Sequence, residues 1–267
     1  MNAVTRTTAT ALLALAALAP AAAHATTVAQ VKQKGKLVML CYPHPLSTFV
    51  KRGKNPGDYV GVDVSLMQTF ARSLGVELEV KPVADFDDLI PALRRGDGDV
   101  IASSYSITKD RAELVDYSDP YFPVLVMAVV RKDSPIAKME DLRGKRGSTV
   151  PGSSQEERLK AVPGVVLHHV ASSPANYDAV AKREADFAFM DSTSVLTNLQ
   201  RYPNLKVAFH LPGAEYYGYA VTKGSDLKTA VSEHVERLRK SGLLYDVIRR
   251  HLGEKGVEMF KLVQQAP

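Results

Sequence analysis

The sequence predicts an α/β protein in which mostly parallel sheets are flanked by helices. Short apolar segments alternate along the chain with amphipathic segments of helical period, the pattern of successive βαβ units. Glycine, proline and charged turns separate these segments, with no internal repeat and no low-complexity linker. About 240 residues remain once an apolar leader is set aside, enough for one large domain or two smaller ones.

The leader comes first. Arg6 precedes an alanine- and leucine-rich run from Ala9 to Ala23, and Ala23-His24-Ala25 supplies small residues where a signal peptidase reads. A secretory signal over residues 1–25, cut before Thr26, is therefore expected rather than a membrane span. No cysteine stands at the cut, so no lipid anchor is expected. No later run reaches about 18 apolar residues, so the mature chain is expected to be soluble. Loss of the leader removes Arg6 and no acid, lowering the formal charge from +5 to +4. No basic stripe with interleaved aromatics is present, which argues against nucleic-acid binding. Cys41 is the single cysteine, so no internal disulfide forms, and its place after Leu37-Val38-Met39-Leu40 suits a buried strand thiol.

Leu37 to Cys41 reads as the first strand, followed by a Pro-, Gly- and Lys-rich loop from Tyr42 to Tyr59. Gly61 opens a helix with Leu66, Met67, Phe70, Ala71 and Leu74 on one face, and Gly75 stops it. Val76 to Val83 alternates as a strand, and Asp87 to Arg95 is a short helix ending at Gly96. A strand begins at Val100. After Tyr121-Phe122-Pro123 a second cycle opens with a strand from Val124 to Val130, a turn at Asp141 to Gly144 and a strand from Lys145 to Val150. A helix follows to about Val162, then a strand from Val165 to Val170. Ser173-Pro174 supplies a cap and first turn for the next helix. Ala185 to Met190 is a strand, with a helix from Asp191 to Arg201. Val207 to Leu211 and Tyr217 to Thr222 are strands, and helices span Ser225 to Lys240 and Leu243 to Leu252.

The stretch from Asp99 to Phe122 carries the chemistry. Val100-Ile101-Ala102 starts a strand that turns polar, and a period of two would put Ser104 and Ser106 on one face and Tyr105 on the other. Thr108 and Arg111 lie just beyond. A guanidinium beside hydroxyls suits bidentate capture of a carboxylate. Spacing alone leaves two readings of Arg111: such a clamp, or an exposed residue in a solvated loop. Gly152-Ser153-Ser154 precedes a helix, where free N–H groups favour an anion, yet Ser153 with Glu156 also forms a capping box that needs no ligand. Asp191 ends a strand before Ser192-Thr193-Ser194, the position of an N-cap. His168 and His169 are adjacent in a strand and face opposite ways, so they do not share a metal. Pro151-Gly152-Ser153-Ser154-Gln155 lacks the second glycine of a nucleophile elbow, and no Walker loop is present. No cofactor or metal is expected.

The run Ser103-Ser104-Tyr105-Ser106-Ile107-Thr108-Lys109-Asp110-Arg111, followed by Asp116-Tyr117-Ser118-Asp119-Pro120-Tyr121, resembles the bacterial extracellular solute-binding proteins of family 3. These are periplasmic receptors of polar amino-acid ABC importers. The likeness runs from about Gly35 to Gly253. It implies a two-lobe periplasmic-binding-protein fold of type II, with lobe one at 26–122 plus 218–267, lobe two at 123–217, and the ligand in the cleft between them. It implies a periplasmic, monomeric receptor that hands an amino acid or close analogue to an inner-membrane ABC permease.

By the same resemblance, Arg111, Ser104 and Ser106 hold the ligand's α-carboxylate and α-amino groups. Ser153 and Ser154 match the second lobe's carboxylate cradle, with Ser153 free to cap while Ser154 reaches the ligand. Asp191 matches an acid that pairs with the ligand ammonium. Tyr42, His44 and Phe86 match positions of the side-chain pocket. The chain departs from the family in having Ser65 where a second acid is usual, and Pro45-Leu46-Ser47-Thr48-Phe49 where an aromatic-Pro-Phe pattern is usual. Some relatives are cyclohexadienyl dehydratases, with a catalytic glutamate a turn after the acid matching Asp191. Here Ser192, Thr193, Ser194 and Val195 stand in that turn, so a receptor is expected and not an enzyme.

Overall fold

A computed structural model of the protein describes residues 25–265; the expected leader falls almost wholly outside them. The chain opens with α1 (Val28–Lys34), whose cap Thr27 and Gln30 exchange side-chain and backbone hydrogen bonds. The sequence reading passed over this helix. Then come β1 (Lys36–Cys41), a small hairpin of β2 (Lys51–Arg52) and β3 (Tyr59–Val60), and α2 (Val62–Leu74). Gly61 enters α2 at φ 142°, and a Cβ there would lie 2.0 Å from the Phe49 carbonyl oxygen, so only glycine fits. β4 (Glu77–Pro82), α3 (Leu89–Arg94), β5 (Val100–Ile101), α4 (Lys109–Leu114) and β6 (Asp116–Tyr117) follow.

β7 (Phe122–Val124) leads into β8 (Val126–Arg131), β9 (Arg146–Thr149), α5 (Ser154–Lys160), β10 (Val166–His169), α6 (Ser173–Ala181), β11 (Phe187–Asp191), α7 (Ser192–Asn198) and β12 (Leu205–His210). β13 (Glu215–Tyr217) pairs antiparallel with β7, and the chain returns through β14 (Ala220–Val221) to α8 (Leu227–Lys240) and α9 (Leu243–Gln264).

Two five-stranded sheets result, ordered β4-β1-β5-β14-β6 and β10-β9-β11-β8-β12. β1 is parallel to β4 and β5, and β9 is parallel to β10 and β11. β14 and β8 run antiparallel to both of their neighbours, each the one reversed strand in a sheet whose other four strands run the same way. The reason is topological. β8 and β14 are the strands that enter each sheet straight from the β7 and β13 crossings. A chain arriving from the carboxyl ends of the parallel strands must run against them.

The first sheet packs on α2, α8 and α9 around Phe70, Phe122, Tyr219 and Phe260, all fully buried. The α8 stripe of Leu227, Val231, Val235 and Leu238 is buried as its spacing predicts, and His234 joins it. α9 extends past Leu252 through a break at Gly253, bringing Phe260 to 5.1 Å from the ring of Phe122 on β7. Cys41 is buried, and burial pushes its thiol up to about 12, which suits the inert strand thiol expected of it.

Three local readings change. The strand from Val100 ends at Ile101, and Ser104 sits at φ 46°, so Ser104 and Ser106 are not neighbours on one extended face. The Asp63 carboxylate accepts the Ser104 N–H at 2.6 Å and holds the turned backbone. Arg111 lies on α4, capped by Thr108, rather than in a loop. The cap of α6 is Ser172, without a side-chain bond, and Ser173 is the first helical residue.

Candidate functional site

The carboxyl ends of β1, β5, β9 and β11 all open toward the space between the two sheets. The residues that follow them line a cavity of about 140 Å³. All nine residues singled out in the sequence, Tyr42, His44, Phe86, Ser104, Ser106, Arg111, Ser153, Ser154 and Asp191, line it.

Arg111 is buried, at 5% exposure, and no carboxylate among the described residues is ion-paired with it. Its Nη1 donates to the Ser106 carbonyl at 2.9 Å, and its Nη2 donates across the cleft to the Gly152 carbonyl at 2.8 Å. The guanidinium lies 4.1 Å over the Tyr105 ring and 5.5 Å over Phe86, so π faces and carbonyl dipoles solvate the charge. Phe86 also meets Tyr42 edge-on at 6.0 Å. A buried cation satisfied only by neutral groups is stabilised further by an incoming anion.

Opposite it, Gln155 Nε2 donates to Asp191 Oδ1 at 2.6 Å, and the Tyr217 hydroxyl donates to Oδ2. Burial, reinforced by the nearby Glu215 carboxylate, raises the Asp191 carboxyl to about 7. Asp191 begins α7 without capping it through its side chain. Glu215 is itself ion-paired with Arg158.

Ser153 caps α5, its Oγ accepting the Glu156 N–H at 3.2 Å. The reciprocal half of the capping box is displaced by one residue: Glu156 accepts from the Gly152 N–H at 2.9 Å. Ser154 donates to Ser106 Oγ at 3.2 Å, joining the two sides of the cleft. The Ser104 hydroxyl turns to the Ser103 carbonyl at 2.7 Å. The Tyr42 hydroxyl reaches across the mouth to the Ala171 carbonyl at 2.6 Å. His44 Nδ1 accepts from the Leu46 N–H at 3.1 Å, and burial lowers its pKa toward the neutral form. His168 and His169 diverge as expected, toward Glu184 and Glu156.

Other lining residues were missed in the sequence, among them Gln155, Tyr217, Asn176 and Asn198. Gln155 had a signal in its position on the first turn after Ser153. The others lie on elements whose local pattern says nothing of a cleft.

Two α/β lobes joined by paired crossing strands, with polar groups of both lobes meeting around one cavity, define a cleft-type solute-binding protein. The chain belongs to the bacterial extracellular solute-binding proteins, family 3, whose family model matches residues 42–254. Among solved structures it is similar to a mutant of ArgBP from T. maritima, with TM-score 0.77 and 31% identity, over 85% of this chain and 99% of that one. It is also similar to an ancestral amino acid-binding protein described as a precursor of cyclohexadienyl dehydratase, with TM-score 0.74 and 26% identity, over 84% of this chain and 98% of that one. Among curated proteins it is 30% identical to a membrane-bound lytic murein transglycosylase F of Desulfosudis oleivorans, over 83% of this chain. The match takes in only 50% of that relative, so this chain spans about half the length of the transglycosylases it resembles. No helix among the described residues is long and apolar enough to cross a membrane.

Proposed function

We infer that this protein is an amino-acid receptor of the periplasm that closes on its ligand and delivers it to an ABC permease. One observation carries the reading: a buried guanidinium with no ion-paired acid, Arg111, shares a cavity with a partly buried carboxylate, Asp191. Charges of opposite sign, each desolvated, favour a ligand that brings both complements, as a zwitterion does. In this reading Arg111, with Ser106 and Ser154, receives the α-carboxylate and Asp191 receives the ammonium. Tyr42, His44 and Phe86 border the rest of the ligand, and Ser104 and Ser153 hold the backbone around it. Lobe one is 26–122 plus 218–267, lobe two is 123–217, and the paired β7 and β13 are the hinge.

The enzyme alternative, a cyclohexadienyl dehydratase-like activity, draws support from the ancestral neighbour. It lacks an acid in the turn after Asp191, and the nearby Glu215 is occupied by Arg158. Murein chemistry belongs to relatives twice as long and is not assigned to this chain.

A thermal-shift screen of the purified protein against the amino acids and prephenate tests the receptor reading, since a ligand of the folded state raises its apparent stability. Stabilisation by an amino acid with prephenate left unchanged by the protein is the expected result. Turnover of prephenate would replace it with the enzyme.

A further inference from the structure

Among the residues lining the cavity, Arg111 is the one permanent cation and Asp191 the one acid. His44, the other basic side chain there, is held toward its neutral form by burial. Glu215, behind Ser154, is neutralised by Arg158. Once an amino acid's two α-groups have taken Arg111 and Asp191, the cavity holds no charge to meet a charged side chain.

What it holds instead is neutral polar groups, among them two amides besides Gln155, whose Nε2 is spent on Asp191. Asn176 on α6 and Asn198 on α7 line the cavity and are 4% and 5% exposed. Asn176 Oδ1 accepts from Ser148 Oγ at 2.7 Å, and its Nδ2 has no hydrogen-bond partner among the described residues. Asn198 Nδ2 donates to Thr197 Oγ1 at 3.1 Å, and its Oδ1 has none. The Tyr177 hydroxyl and Ser194 Oγ, 3.1 Å apart, fasten α6 to α7 beside this pair. Ser194 and Asn198 are one helical turn apart and so share a face. This amide donor and this amide acceptor are unused within the protein and are not sealed from the cavity, so both are free to meet a ligand there.

We propose that the ligand is an amino acid whose side chain ends in a neutral primary carboxamide, of the glutamine or asparagine type. Asn176 Nδ2 donates to its carbonyl oxygen and Asn198 Oδ1 accepts from its amide nitrogen. The inference rests on the receptor reading above and narrows it. A basic ligand such as arginine would bring a second cation to a cavity whose one acid faces the ammonium. A glutamate or aspartate would bring a second anion with no second cation to meet it.

Titration calorimetry of the purified protein with L-glutamine, L-asparagine, L-glutamate, L-aspartate, L-arginine and L-alanine tests this, with the same panel on Asn198→Leu and Asn176→Leu. At least one amide should bind about tenfold or more tighter than its own acid and than arginine, the worth of about one well-made hydrogen bond. Each variant should lose about tenfold more affinity for that amide than for alanine. The wild-type comparison stands even if one variant does not fold. Equal or tighter binding of an acid or of arginine would overturn the carboxamide assignment while leaving an amino-acid receptor in place. So would variants that weaken the amide and alanine by the same factor. No binding of any amino acid would overturn both.

Discussion

The Gly152 carbonyl accepts a hydrogen bond from the Arg111 guanidinium at 2.8 Å, so the residue that would grip a ligand's carboxylate also ties one lobe to the other. In the receptor reading, closure and recognition would share this side chain. An anion bridging Arg111 to the α5 N-terminus would strengthen a contact that already exists between the lobes.

Arg111→Ala should abolish measurable amino-acid binding and leave the fold intact. Removing one member of a desolvated charge pair costs ~2–5 kcal/mol or more. Arg111→Lys should recover only part, because an ammonium keeps the charge and loses the planar fork that serves Ser106 and Gly152 together. Calorimetric titration measures both, and wild-type affinity in Arg111→Ala would remove the clamp.

Gly152→Ala should hinder closure. A Cβ at Gly152 would lie 2.4 Å from the Asp87 Cβ and 3.0 Å from its Cα, and Gly152 sits at φ 70°. Neither a backbone atom nor a Cβ moves aside without the lobes parting. The expected outcome is affinity weaker by tenfold or more, together with a radius of gyration that shrinks less on ligand addition in small-angle scattering. A variant that closes like wild type would move the lobe contact elsewhere.

Ligand affinity should rise with pH up to about 7. The Asp191 carboxyl, raised to about 7 chiefly by burial, is protonated below that value in the empty protein, whereas a ligand ammonium favours the ionised form. Binding near pH 6 should therefore release a proton, seen as a dependence of the calorimetric heat on buffer ionisation. The effect on folding has the opposite sense. A carboxyl whose folded pKa is raised stabilises most below about 4, and that stability is lost as pH rises toward 7. Asp191→Asn should flatten both profiles and lose less affinity than Arg111→Ala.

Asp63→Ala should destabilise the fold by about 2–4 kcal/mol and weaken binding at the same time. Asp63 is fully buried and accepts from the Tyr121 hydroxyl, from the Tyr219 hydroxyl at 3.4 Å and from the Ser104 N–H. Its loss leaves two buried hydroxyls unpaired and releases the backbone that leads to Ser106. Chemical denaturation and titration read the two effects separately. A stability loss with unchanged affinity would confine Asp63 to the core.

By itself the sequence determined the elements whose physics is local. α2 begins at Gly61 and ends at Gly75 because glycines bracket an apolar stripe, and α8 buries the face its spacing marks out. Strand ends and helix starts carry their own signals in hydroxyls, caps and breaks in apolar runs, and these marked Ser104, Ser106, Arg111, Ser153, Ser154 and Asp191, all of which line one cavity. Tyr42, His44 and Phe86 came only from the family resemblance. The tertiary structure decided the rest. α4 is six residues long and is capped by Thr108, too short for a periodic signal. The positive φ of Ser104 is held by Asp63, 41 residues away in sequence. The antiparallel placing of β8 and β14 follows from where the chain re-enters each lobe. Tyr217, Asn176 and Asn198 join the cavity because β13, α6 and α7 converge on it. A neighbour brought close only by the path of the backbone leaves no mark in the residues beside it.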